Sequence, residues 1–272
     1  GIGGNGIDVA AAKAMDPSLT VIQNPKGHIP NTSAHAISGS AGVSLVGEPG
    51  FAGVSINRLE NNYGISPDGS GGPDTRIDLK QSKYDFKSEL IDPVRFVEAL
   101  RTRLGYTDYQ HTELVGGVPG TAFANKTYEG RAELAHRPIG PFRGTVGFQA
   151  IASNFAAFNL EHGSSKTIVP QSLINSYGVF AVESFDYGPV TYQLGGRVEQ
   201  ASIDSQGQNS LPGAPSTPSS FSYTPVSASV SALWKLNDRH KINLGGTRSQ
   251  RAPQVQELLA YYNSMRTDRR LT

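Results

Sequence analysis

The chain has 272 residues, among them 31 Gly, 17 Pro and no Cys, with 24 Lys and Arg against 23 Asp and Glu. The missing cysteines exclude a disulfide scaffold and a thiolate metal site, and a net charge of +1 gives no basic excess for a nucleic-acid partner. A mean hydropathy of −0.33 and the lack of any apolar run near ~20 residues exclude a transmembrane helix. They leave a transmembrane β-barrel open, because its strands alternate lipid-facing with lumen-facing residues.

The chain starts at Gly1 with no initiator Met or apolar leader and ends on the polar stretch Arg269-Arg270-Leu271-Thr272, which reads as a fragment of a longer protein. Residues 1–35 read as a loop region on the extracellular side. Gly1, Gly3 and Gly6 spell G-x-G-x-x-G, but no strand precedes them and no βαβ pattern follows, so a flexible loop is expected instead of a dinucleotide site. Ala10 to Met15 is compatible with a helical turn, and Asn24-Pro25-Lys26-Gly27 with a reverse turn.

From residue 36 to 251 the pattern is period-2, in about ten segments bounded by turn residues. Ala41, Val43 and Leu45 alternate with Gly42 and Ser44; Ala52, Val54 and Ile56 with Gly53, Ser55 and Asn57. Leu100, Thr102, Leu104 and Tyr106 are set against Arg101, Arg103, Gly105 and Thr107, and Tyr128, Gly130, Ala132 and Leu134 against Glu129, Arg131 and Glu133. Val190 to Glu199 and Val226 to Trp234 repeat the alternation, the latter with serines on its polar side.

The connections are expected to alternate in length. Short ones fall at Gly47 to Gly50, Ile91 to Arg95, Arg137 to Arg143, Asp186 to Pro189 and Leu236 to His240. Long ones fall at Asn61 to Arg76, His111 to Thr121, Asn159 to Gln171, Ser205 to Ser220 and in the segment 252–272, read as a further extracellular loop. An antiparallel meander places alternate connections at the same end. This sorting therefore predicts an outer-membrane barrel with short periplasmic turns and long extracellular loops.

One face of the predicted strands is apolar and the other carries Arg101, Arg103, Glu129, Arg131, Glu133, Arg197 and Glu199, more charge than a packed sandwich core tolerates. A polar or plugged lumen accommodates it. Glu183, which with Glu129 and Glu199 could suggest an acid/base pair, is likewise expected in lumen ion pairs. Phe51, Phe96, Phe142, Tyr187 and Trp234 lie near the short turns, as an interfacial aromatic girdle would. The six histidines are scattered without ligand spacing, and no nucleophile motif occurs, so neither a metal site, a cofactor nor an enzyme is predicted.

Four stretches resemble the barrel of TonB-dependent outer-membrane receptors, in matching order. They are Gly50-Phe51-Ala52-Gly53-Val54-Ser55 through Glu60 to Ile65, Ile77 to Gln81 with Tyr84, Leu194 to Glu199, and Ser249-Gln250-Arg251-Ala252-Pro253 with Glu257-Leu258. The last is the most specific, and the nearest likeness is to the subgroup containing zinc-uptake receptors. The resemblance implies part of a barrel of about 22 strands closed by an N-terminal plug. It also implies active import of a siderophore, metal complex or similar scarce nutrient, with TonB, the nutrient and outer-membrane lipid as partners. The seven charged residues would then hold the plug. A passive porin and a secreted β-sandwich adhesin are the alternatives.

Overall fold

The computed structural model describes residues 9–15, 29–66, 72–160, 166–207 and 217–259. The glycines of the G-x-G-x-x-G spelling, the Asn24 to Gly27 turn and most of the Ser/Pro/Gly-rich stretch after Ser205 lie outside them. A short helix α1 spans Val9–Met15, where a helical turn is predicted.

Eleven strands follow: β1 (Ala34–Gly47), β2 (Gly50–Gly64), β3 (Thr75–Val94), β4 (Val97–Val115), β5 (Val118–Ile139), β6 (Phe142–Asn159), β7 (Lys166–Tyr187), β8 (Val190–Ser205), β9 (Ser219–Tyr223), β10 (Val226–Lys235) and β11 (Lys241–Arg248). They form one antiparallel up-and-down sheet in chain order, except that β9 and β10 both pair with β8. These two continue one line along β8, interrupted at Thr224-Pro225, and the Pro225 carbonyl still accepts the Glu199 N–H at 3.1 Å. A helix α2 (Val255–Leu259) follows β11. Strands of up to 22 residues exceed the ~9–11 that cross a bilayer, so the sheet extends well beyond an apolar belt.

The chain forms strands because its apolar residues repeat at period 2, and the register joins those repeats into rows. Val43 lies opposite Val54, Val54 opposite Phe86, and Phe86 opposite Leu104. Further along, Val179 lies opposite Val198 and Val198 opposite Val226. These side chains stay exposed; Val43 keeps 68% of its surface accessible and Leu104 51%. Apolar rows of this extent, left uncovered, suit contact with lipid.

Turn chemistry closes the hairpins. Gly140 and Gly188 have φ of 60° and 58° and each precedes a proline, the combination a II′ turn needs at its central positions. The connection expected to be long between His111 and Thr121 is instead tight. β4 and β5 pair as far as Val115 and Val118, and Gly116 and Gly117 adopt φ of 60° and 83°, which the I′ hairpin demands and only glycine accepts without strain. The strict alternation of connection length fails there. The long connection read from Asn159 to Gln171 is also shorter, because β7 begins at Lys166.

Candidate functional site

The face opposite the apolar rows carries the charge. Register places all seven charged residues singled out in the sequence on it: Arg101 opposite Glu133, Arg103 opposite Arg131, Gly105 opposite Glu129, and Arg197 and Glu199 three strands beyond β5 along the same rows. Arg101 binds Glu89 at 3.2 Å on the neighbouring strand. Arg131 binds Glu133 at 2.6 Å, and Arg197 Nε donates to Glu199 at 3.1 Å. Both of the latter pairs link residues two apart on one strand, so each side chain runs along its own strand.

Gln149 on β6 joins these pairs into a network. Its Oε1 accepts from Arg131 at 3.4 Å and from Arg197 at 3.2 Å, while its Nε2 donates to Glu129 at 2.7 Å. Glu199 also accepts the Ser176 hydroxyl at 2.8 Å. Two glycines make room for this arrangement. A Cβ at Gly147 would strike the Phe180 ring, which crosses that position to lie 4.2 Å beneath the Arg131 guanidinium, and a Cβ at Gly178 would strike Arg197. Among the described residues Arg103 has no ion pair. Gln149 and Phe180 carry no charge, so a search for charged periodicity passes over them.

Toward the end of the sheet where the long connections lie, the same face turns apolar. Phe155, Ala157, Val169 and Ile203 are buried there against Val255 and Leu259 of α2. Stacked rings lead away from this cluster: Phe123 stacks on His111 at 4.4 Å, and Tyr109 donates its hydroxyl proton to, or accepts one from, His111 Nδ1 at 2.9 Å. The Arg-Ala-Pro-x-x-x-Glu-Leu motif holds the helix in place. Arg251 binds Glu257 at 2.8 and 2.7 Å, and Glu257 accepts the Gln254 backbone N–H at 2.7 Å, the carboxylate half of a capping box, with that carboxylate itself clamped by Arg251. Arg251 first and that N–H second hold the Glu257 carboxyl at about 2.

On the apolar face, Tyr84, Tyr106 and Tyr128 pack in a row at 6.1 and 4.7 Å between centroids, the first pair stacked and the second tilted. They recur at an interval of 22 residues, a signal present in the chain but not read from it. Asp108 and Lys126, one pair farther toward the long connections, bound the apolar belt. Near the short turns Phe142, Phe185 and Tyr192 pack in sequence at 5.3 and 5.2 Å. Phe142, Tyr187 and Trp234 join this girdle, whereas the register puts Phe51 in the row of Val46 and Glu89 on the polar face, a correction to its predicted place. A second correction concerns Glu183. It lies opposite Leu194 on the apolar face and meets His136 Nε2 at 3.0 Å across Gly144, because that glycine leaves the space between their strands empty.

Residues 29–270 match a family model described as TonB dependent receptor-like, beta-barrel. Among solved structures the fold is similar to the copper transporter OprC, at 14% identity and a TM-score of 0.68, with 82% of this chain and 38% of that one covered. It is similar to the FrpB iron transporter from Neisseria meningitidis at 13% identity and 0.60, covering 83% and 37%. The alcaligin outer-membrane receptor FauA from Bordetella pertussis follows at 12% identity and 0.54, covering 75% and 34%. The chain thus spans well under half of each of these proteins, and the likeness is one of fold. None of the three names zinc, and the narrower resemblance to zinc-uptake receptors gains no support from them.

Proposed function

The chain belongs to the TonB-dependent receptor family as part of its β-barrel, and from that premise we propose that it forms a stretch of the wall of an outer-membrane importer of a scarce nutrient, such as a siderophore or metal complex. The observation that carries this reading is the division of one sheet into two chemical faces. Apolar rows bounded by aromatic girdles suit a bilayer, and the opposite face holds the Arg131–Gln149–Arg197 network, whose desolvation cost is tolerable only in a polar lumen.

In this reading the short turns lie in the periplasm and the long connections outside the cell. Residues 1–35 and 252–272 belong to the outer side. Arg101, Arg103, Glu129, Arg131, Glu133, Arg197 and Glu199 contact a plug contributed by a part of the protein beyond this chain, and that plug relays the pull of TonB. Ligand binds above the plug at the long connections, and displacement of the plug opens a path along the polar face.

The test is uptake of radiolabelled ferric and cupric chelates by cells expressing the complete receptor, with and without TonB and with an uncoupler present. Uptake abolished by either treatment is expected. Uptake indifferent to both would establish the passive pore instead.

A further inference from the structure

On the polar face, three cations from three strands stand directly opposite one another. Lys87 of β3 pairs with Arg103 of β4, and Arg103 with Arg131 of β5. Directly opposed side chains have Cβ atoms about 5 Å apart, and like charges in such positions destabilise a sheet. The nearest carboxylates relieve only Arg131, through Glu133, and leave Lys87 and Arg103 without a counter-charge. Asp85 is taken by Lys83 at 3.2 Å, Glu89 by Arg101 at 3.2 Å, Glu129 by Gln149 at 2.7 Å and Glu133 by Arg131 at 2.6 Å. Lys87 and Arg103 are exposed, and among the described residues they have neither an ion pair nor a hydrogen bond from their side chains.

The row borders a depression of about 280 Å³ floored by Gly105. A Cβ at Gly105 would point into that space, its nearest neighbour being Asp85 Oδ1 at 3.6 Å. The rim carries Lys83, Lys87, Arg103 and Arg131 against Asp85 and Glu129, so cations exceed carboxylates by two. The hollow is large enough for a small oxygen-bearing anion. Its cations come from three neighbouring strands, and an anion there would offset the repulsion between Lys87 and Arg103.

We propose that the Lys87–Arg103–Arg131 row beside Gly105 is a seat for an oxyanion, a carboxylate or phosphate group held chiefly by Lys87 and Arg103. This rests on the reading of that face as the lumen wall, and it adds a defined ligand chemistry at one place on it. The anion has two possible sources, a small anion diffusing through the lumen or a carboxylate side chain presented by the plug.

The test uses the complete receptor purified in detergent, with inorganic phosphate as probe. Binding is followed by broadening of the phosphorus NMR line, with chloride at equal ionic strength as reference. Saturable binding that weakens by about tenfold or more in Lys87→Gln/Arg103→Gln supports the seat and shows it open to free anions. Binding absent from the complete receptor, appearing once the plug is deleted and weakened again by the two substitutions, supports the seat with a plug carboxylate as occupant. Absence of binding in both forms, or binding indifferent to the substitutions, overturns the proposal. Heat-modifiable gel mobility checks that each variant barrel is folded, and Lys87→Arg, which keeps the charge, is expected to retain binding. Uptake is read separately: a receptor that imports by TonB without an anion seat overturns the seat alone, and one with a seat but no TonB-dependent uptake overturns the transport reading alone.

Discussion

The Arg251 guanidinium grips the Glu257 carboxylate with two parallel N–H···O bonds, at 2.8 and 2.7 Å, across six residues of chain that include a proline. The bond pair connects the end of β11 to the first turn of α2, and α2 in turn places Val255 and Leu259 on Phe155, Ala157, Val169 and Ile203. A helix of five residues is too short to persist by itself in water. Its order therefore depends on the clamp and on the apolar seat. Arg251→Ala is expected to raise amide hydrogen exchange across Val255–Leu259 by about tenfold or more while leaving β4 to β7 unchanged. Unaltered protection of α2 in that variant would show that the apolar seat suffices alone.

The same clamp should respond to acid. Glu257 is held from its ordinary 4.5 down to about 2, by Arg251 foremost and by the Gln254 N–H. A carboxyl whose pKa is depressed in the folded state stabilises that state fully above its unfolded value and ceases to do so as pH falls through the folded value. Helix α2 is therefore expected to loosen between about pH 4.5 and 2. Exchange or fluorescence from a probe on Leu258 should record the transition, and Glu257→Gln should abolish its pH dependence; a transition that persists in Glu257→Gln would assign it to another group.

Gly147 is required by its neighbour. With the Phe180 ring lying over it, Gly147→Ala should push the ring off Arg131 and destabilise the barrel by roughly 1–3 kcal/mol. In a Phe180→Ala background the same substitution should cost little. Denaturant midpoints of the four proteins give the coupling, and additive effects would mean that the ring has room to move.

The two faces should differ sharply in their tolerance of charge. Leu104→Lys on the apolar face is expected to destabilise the folded barrel by about 2–4 kcal/mol, as charge at mid-bilayer does. Thr107→Lys, three residues along the same strand and on the polar face, should cost under about 1 kcal/mol. Equal costs in lipid vesicles would contradict the assignment of the faces.

Period-2 alternation is a local property, so the sequence by itself determined that the chain makes strands, which residues share a face of each strand, and where the prolines and glycines close most hairpins. It also carried the family likeness, since Arg251, Ala252, Pro253 and Glu257 are recognisable as a string. Only the tertiary structure decided who meets whom, because a partner across a sheet depends on register, and register is set jointly by two strands and the turn between them. Gly116-Gly117 looked like part of a loop until its positive φ values made it a two-residue turn. Glu183 looked like a lumen charge until the empty space over Gly144 let it reach His136 on the apolar side. Gln149 gained importance only because its side chain bridges Arg131 and Arg197, which are 66 positions apart in the chain and are joined through the β6 strand that lies between theirs.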